Sequence, residues 1–294
     1  MTHESVLLEE TIALLSVIAG KWYIDMTFGR GGHTQRILEQ GGNVIALDVD
    51  EEAITHGMKS FPQALEKKQL LLVRENFEHV DDVVFSSRNI HQGQIDGALA
   101  DFGVSSPQID KASRGFSFQQ DAPLDMRMDQ RLGVTAGNLV NALGKKELAE
   151  LFLTYGGETR ARAIADRIVS YRLHQPITTT AELANLVEEV VPRMGKLHPA
   201  TKTFMALRMV VNDELGVIER MLPKAFTALS TGGKLVTISF HEGEDRLCKH
   251  FMQASVDRGE AVELTKKPIT ASDEEVERNV RSRSGKLRGV QKCV

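Results

Sequence analysis

Cysteine is almost missing from this 294-residue chain, whose two thiols are Cys248 and Cys293. They lie far apart, and neither a disulfide framework nor a cysteine zinc cluster can be built from such a pair. This usage suits a reducing cytoplasm. Nine histidines are present, but none falls in an H-E-x-x-H pattern or a comparable ligand spacing, so no metal is assigned. No apolar run approaches the roughly 18 residues that a membrane span requires. The opening residues Met1 to Ser5 are polar and lack a basic segment, so a secretory leader is not expected. Positive charge is not in excess either. A formal net charge of −4 argues against a coat protein for bulk nucleic acid, while leaving room for local basic surfaces. No G-K-[ST] follows the chain's early glycines, and Ser105 and Ser106 are not in a G-x-S-x-G elbow. A Walker nucleotide site and a serine hydrolase are therefore not expected. Internal repeats and low-complexity segments are also absent.

What is present is an ordinary globular mixture, 41% apolar and 26% charged, long enough for one large or two modest domains. Its most informative stretch is 22–50. The apolar run Trp22 to Met26 reads as a buried parallel strand that breaks into the turn Gly29-Arg30-Gly31-Gly32-His33. Glycine lets a backbone come close to a ligand with no Cβ in the way. Thr34 to Gln40 then read as a short helix whose first N–H groups face the same crevice. A second strand, 43–48, ends at Asp48. An acid about 20 residues after a glycine turn is where a doubly wound fold holds a ribose hydroxyl, so an adenosine-bearing cofactor is expected. The dinucleotide pattern G-x-G-x-x-G fits only in part: Gly29 and Gly31 take its first two places, but Thr34 falls on the third. Asp25 instead closes the first strand, four residues before Gly29. That layout resembles the first motif of class I S-adenosylmethionine methyltransferases. In those enzymes the strand-end acid lies near the methionine ammonium, and the turn packs under the ribose.

Alternating elements continue. A short amphipathic helix is expected over 5–16, further strands at 69–73 and 95–100, and helices at 51–60 and 77–87. Such alternation implies a parallel sheet covered on both faces. From about 109 to 204 no strand is predicted, and apolar spacing indicates helices at 146–155 and 181–191. Strands resume with 235–240 after the Gly232-Gly233 turn, and a last extended pair is expected at 261–265 and around 279–290. The economical account is a discontinuous α/β domain, 1–108 and 205–294, interrupted by an all-helical insertion, 109–204, suited to substrate recognition.

The strand 95–100 ends in Asp101-Phe102-Gly103-Val104-Ser105-Ser106-Pro107-Gln108. Ligands of open α/β sheets sit beyond the carboxyl ends of strands, so this loop is expected at the crevice too. The loop resembles that of methyltransferases acting on exocyclic amines, where the loop after the fourth strand supplies a polar acceptor and a proline turn; the amine of such a substrate has its lone pair delocalised into the base. A polar acceptor for its N–H favours the pyramidal, nucleophilic form and then tolerates positive charge. Asp101 is the candidate acceptor, or else it holds the cofactor; a turn-capping role is the alternative.

Five blocks carry a family resemblance: His3 to Leu8 (HESVLL), Asp25 to His33 (DMTFGRGGH), Asp101 to Gln108 (DFGVSSPQ), Arg114 to Asp129 (RGFSFQQDAPLDMRMD) and His198 to Leu215 (HPATKTFMALRMVVNDEL). Ile238 to Arg246 and Asn279 to Arg288 add two weaker ones. In order and over nearly the whole length, the chain resembles the ribosomal RNA small subunit methyltransferase H family, also called MraW. The resemblance implies N4-methylation of a cytidine in the decoding centre (P site) of bacterial 16S rRNA, with S-adenosyl-L-methionine as cofactor. It implies a class I, Rossmann-like, mostly parallel α/β fold with a helical insertion. It also places Gly31, Gly32 and His33 in the cofactor loop, Asp48 at the ribose, Phe77 beside the adenine, and Asp101 and Gln108 on the cofactor. The chain departs from the family at Glu242-Gly243, where a serine-leucine pair is usual, and at Asn279-Val280, where Asn-Pro is usual. The stretch 252–268 is short.

Two basic enrichments stand out from the acidic whole. Arg278, Arg281, Arg283, Lys286, Arg288 and Lys292 occur without an acid between them, as do Arg193, Lys196, Lys202 and Arg208. Charge runs are usually solvated faces, but with the resemblance these become RNA-phosphate candidates. Phe116 and Phe118 suit either a flipped base or, more simply, a hydrophobic anchor. The expected partners are 16S rRNA and the small ribosomal subunit, with a homodimer left open. The rival readings are a methyltransferase of the same fold with another substrate and a non-catalytic RNA-binding assembly factor. Asp48→Ala is expected to weaken cofactor binding by about 1.5–3 kcal/mol, the worth of a charge-assisted hydrogen bond, measurable by calorimetry.

Overall fold

The computed structural model describes residues 5–87, 94–193, 195 and 197–293; His3 and Lys196 lie outside the described residues. The chain divides into two compact units, Met1–Gly103 with Leu215–Val294, and Val104–Glu214.

The first unit is built on a seven-stranded sheet. Its strands are β1 (Trp22–Asp25), β2 (Asn43–Leu47), β3 (Leu70–Val73), β4 (Ile95–Asp101), β5 (Leu229–Ser239), β6 (Ala261–Glu263) and β7 (Lys286–Lys292), in the order β3-β2-β1-β4-β5-β7-β6. The pairs from β3 to β5 are parallel, and β7 runs antiparallel to both β5 and β6. This is the mostly parallel sheet expected of a class I methyltransferase. Successive side chains of a strand point to opposite faces, and here both faces are buried. Ile45 and Leu47 join a core with Val80, Val83, Met221, Leu222, Cys248 and Met252. Val44 and Ala46 join another with Ile12, Leu15, Ile37 and Ala53. Helices 8–15, 32–39 and 51–60 thus cover one face, and helices 80–86, 214–228 and 242–257 the other. Near-continuous apolar strands are what double coverage demands.

Two expected segments take a different form. β5 starts at Leu229, ahead of the Gly232-Gly233 pair, because the extra residues are absorbed as a register shift against β4 between Ile95 and Gly97, with Gly232 at φ 85°. Around 279–290, extended structure is confined to β7; 273–278 is helical and 280–284 a 3-10 turn. Asn279 starts that turn, its side chain accepting the Arg281 N–H, a local bond that competes with strand pairing.

The second unit is helical among its described residues, apart from one isolated bridge between Pro123 and Thr179. Helices 136–142, 145–156, 161–172, 180–188 and 201–211 bury Val140, Leu148, Phe152, Ile164, Ile168, Leu183, Phe204 and Leu207 together. Capping boxes start 136–142 (Thr135 with Asn138) and 180–188 (Thr179 with Glu182), each satisfying two otherwise orphaned N–H groups. Phe116 and Phe118 pack against this core. Phe118 lies 4.3 Å from the His198 ring and 4.9 Å from Phe204, so both phenylalanines serve as anchors.

Within the first unit, Arg288 is 8% exposed. It grips Asp245 of helix 242–257 through Nε–Oδ1 at 2.7 Å and Nη2–Oδ2 at 3.3 Å. Burial works against the Asp245 carboxylate, yet the Arg288 guanidinium beside it, with Lys286, holds it below the usual carboxylate range. Arg288→Ala would leave that carboxylate buried without its main partner, and about 3 kcal/mol of stability is expected to go with it, read from urea denaturation.

Candidate active site

The order of the sheet reverses at β1. From there the chain went outward to β2 and β3, then returned to the other side as β4 and β5. The carboxyl ends of β1 and β4 therefore flank a topological switch point, where open α/β sheets bind ligands.

Asp25 ends β1 and is 1% exposed. Its Oδ2 accepts the Thr34 hydroxyl at 2.7 Å and its Oδ1 the Thr27 N–H at 3.2 Å. The acid thus ties the turn to the start of helix 32–39. Burial pushes its carboxyl up to about 6, against the bonds from Thr34 and Thr27.

The glycines of the turn have separate reasons. Gly29 has φ 53°, and an added Cβ would meet nothing nearer than the Thr27 carbonyl oxygen at 3.9 Å; its backbone conformation asks for glycine and its side lies open. Gly31 has φ 79°, and a Cβ there would strike the Phe28 and Phe61 rings at 2.7 and 2.8 Å. At Gly32 it would meet the Ser5 hydroxyl oxygen at 2.1 Å. Gly31 is therefore required by its backbone conformation and by the protein's own packing, while a Cβ at Gly32 would displace the Ser5 side chain. His33, in the first turn of helix 32–39, is buried.

Asp48 lies just past β2. Its Oδ2 accepts the Gly29 N–H at 2.8 Å and its Oδ1 the Asp50 N–H at 2.9 Å. Each carboxylate oxygen offers two lone pairs, so acceptor capacity remains for ribose hydroxyls. Its carboxyl is pushed up to about 6, by burial first; the two backbone bonds oppose this, and the charges of Asp50 and Asp25 add to it. Phe77 opens a 3-10 turn soon after β3, capped by Asn76, and its ring stands 6.1 Å from that of Phe102.

Asp101 is the last residue of β4. Its N–H donates to the Thr27 hydroxyl oxygen at 2.7 Å. Its Oδ1 is buried and has no hydrogen-bond partner among the described residues. The carboxyl is raised well above the ordinary range, by burial first and then by the like charges of Asp25 and Glu244. Glu244, also 1% exposed, accepts the Phe240 N–H at 2.7 Å and the His241 N–H at 3.3 Å while His241 caps helix 242–257. Sequence reasoning missed Thr27, Thr34 and Glu244. The signals were there: Asp25-x-Thr27 has the spacing of an Asx turn, and His241-x-x-Glu244 that of a capping box.

Gln108 belongs to the second unit. It is buried, and its Oε1 accepts the Ser105 N–H at 2.9 Å. Of the basic candidates, Arg193, Arg278, Arg281 and Arg283 are exposed. Arg208 grips Glu214 at 2.7 and 2.8 Å, Lys202 Nζ donates to the Gly157 carbonyl at 3.1 Å, and Lys286 and Arg288 share Asp245. Arg288 is a correction: an arginine buried on an internal carboxylate is not available to phosphate.

S-adenosylmethionine carries a cationic sulfonium and an ammonium. The first unit answers that chemistry with like-charged acids, Asp25, Asp48, Asp101 and Glu244, of which Asp101 keeps a buried oxygen waiting for a donor. A cation relieves such a cluster, and Asp48 has lone pairs for hydroxyls, so the residues fit the cofactor.

Comparison with known proteins agrees. The model of the MraW methylase family matches residues 1–293. A protein of Acidobacterium capsulatum named ribosomal RNA small subunit methyltransferase H is 46% identical over 301 residues, covering 99% of this chain and 98% of the relative. Proteins of the same name from Nostoc punctiforme (44% identical, 100% of this chain and 95% of the relative) and a Paenibacillus species (39%, 99% and 99%) match equally fully. With the sheet order, the glycine turn and the acids at the strand ends all in place, a match of this length settles the family: the chain belongs to the MraW methylases.

Proposed function

We propose that this methyltransferase methylates N4 of a specific cytidine in the decoding centre of 16S rRNA, with the small ribosomal subunit as its partner. The relatives named above are small-subunit rRNA methyltransferases by name, and the family resemblance supplies the base and atom. The observation that carries the chemistry is Asp101, a carboxylate at a switch point with one buried oxygen lacking a partner.

S-adenosylmethionine supplies an electrophilic methyl group on its sulfonium. The chain's residues do the rest. Asp48 accepts ribose hydroxyls beside the Gly29 turn, Phe77 lies on the adenine side, and Asp25, Gly29, Gly31, Gly32 and His33 form the cofactor loop, with Asp25 facing the ammonium. Gln108 is assigned to the cofactor as well. Asp101 accepts an N–H of the target amine, which favours its nucleophilic form, and its raised carboxyl is suited to receive the proton that the methylated amine releases. In-line transfer to a held amine draws much of its rate from orientation. Exposed Arg193, Arg278, Arg281 and Arg283 serve as phosphate contacts, and the helical insertion, 109–204, as a substrate-recognition domain.

The test is methyl transfer from labelled S-adenosylmethionine to small subunits lacking the mark, followed by nucleoside digestion and mass spectrometry. Label in N4-methylcytidine is expected. Label in another nucleoside, or none while the cofactor binds, would overturn the assignment of substrate.

Cofactor affinity should also depend on pH. Asp25 and Asp48 titrate near 6 in the folded chain, against about 4 in an unfolded one. Their protonated forms therefore add stability to the unliganded fold at low pH, and that contribution is lost as pH rises through 6. A cationic ligand prefers the ionised forms. Affinity is accordingly expected to fall roughly 10- to 100-fold between pH 7.5 and pH 5, with Asp48→Asn flattening the dependence in calorimetric titrations.

A further inference from the structure

β1 and β4 pair in register from Tyr23 with Gly97 to Asp25 with Leu99, after a register shift that follows the Trp22–Ile95 pair. One more backbone bond follows, from the Met26 N–H to the Leu99 carbonyl at 2.9 Å. There β1 leaves the sheet for the glycine turn, while β4 runs on to Asp101. On its other side Asp101 still pairs with Ile238 of β5. On the β1 side its N–H has outrun the backbone ladder, and a side chain stands in: the Thr27 hydroxyl oxygen, 2.7 Å away and 74 positions earlier in the chain.

Thr27 is held in its turn. Its own N–H donates to Asp25 Oδ1 at 3.2 Å, and the other Asp25 oxygen takes the Thr34 hydroxyl at 2.7 Å. A β-branched side chain has few rotamers, so the hydroxyl has a defined place. A continuous line of bonds thus runs from Thr34 on helix 32–39 through Asp25 and Thr27 to the Asp101 backbone. The Asp101 backbone is thus held on one side by β5 and on the other by that last bond.

We infer that Thr27 is a positioning residue for methyl transfer, its hydroxyl fixing the aim of the Asp101 carboxylate. The inference rests on the function proposed above. A hydroxyl that merely stabilised the turn would, when lost, loosen cofactor binding and turnover together. A hydroxyl that aims Asp101 makes the amine, not the cofactor, pay attention to its loss, since a misplacement of about 1 Å costs on the order of 100-fold in rate.

Thr27→Val keeps the shape and removes the acceptor; Thr27→Ser keeps the acceptor. The Val variant is expected to bind S-adenosylmethionine within about twofold of the parent while kcat drops about 10- to 100-fold. The Ser variant should recover most of that loss. Independently of turnover, amide hydrogen exchange at Asp101 should accelerate at least about tenfold in the Val variant and not in the Ser variant. Thr27→Ala serves if the Val variant does not fold. Parental kcat in the Val variant, equal losses in Val and Ser, or cofactor affinity falling in step with kcat would each overturn the inference. Should the parent itself fail to label small subunits, the proposed substrate falls, while the exchange rate at Asp101 and the cofactor titrations still decide the role of Thr27.

Discussion

The carboxylate of Asp25 is the constraint on which the site depends. It closes the central strand, almost wholly out of water, and its two oxygens collect the Thr27 N–H and the Thr34 hydroxyl. The turn that carries Gly29 therefore has one shape, and the Gly29 N–H can reach Asp48 across 19 positions. Burying a carboxylate is costly, as the carboxyl of Asp25 raised by burial records, and at Asp48 and Asp101 neighbours of the same sign add to the cost. A fold tolerates such a concentration because both faces of the sheet are packed with apolar side chains.

Packing adds its own demands on the glycine turn. A Cβ at Gly31 would strike the Phe28 and Phe61 rings, and one at Gly32 would meet the Ser5 side chain. Gly29 is the one of the three whose side is open. The same division runs through the cations. Arg288, in a basic run that suggests a nucleic-acid surface, is buried on Asp245 and joins β7 to helix 242–257. The second unit shows the pattern again: Arg208 is locked to Glu214, and Asn212 accepts from the Met128 N–H and donates to the Met126 carbonyl. Polar residues in conspicuous motifs are here often fasteners for loops.

The alternation of apolar runs with helical segments, from Trp22 through Asp101, was legible because a strand covered on both faces must be apolar throughout. The acid ending β1, the glycine turn and the acid after β2 were legible because a nucleotide site in this architecture needs them at a fixed spacing along the chain. Helix 51–60 follows from Asp50, whose side chain takes the Glu52 N–H, a purely local cap. Less legible were β5, whose glycine pair reads as a turn but lies in a bulge, and 279–284, where charged and small residues carry no period that separates a 3-10 turn from a strand.

Composition, periodicity and spacing along the chain by themselves determined the parallel α/β class and the helical character of the inserted stretch, since both are encoded in neighbours close in sequence. Only the tertiary structure decided which polar groups at the strand ends face one another. The bond from Asp101 to Thr27 spans 74 positions and that from Leu7 to Glu275 spans 268. Whether a carboxylate holds a turn, grips an arginine or keeps an oxygen in reserve depends on partners that only the folded sheet brings within 3 Å, and on burial that no single residue carries in its own identity.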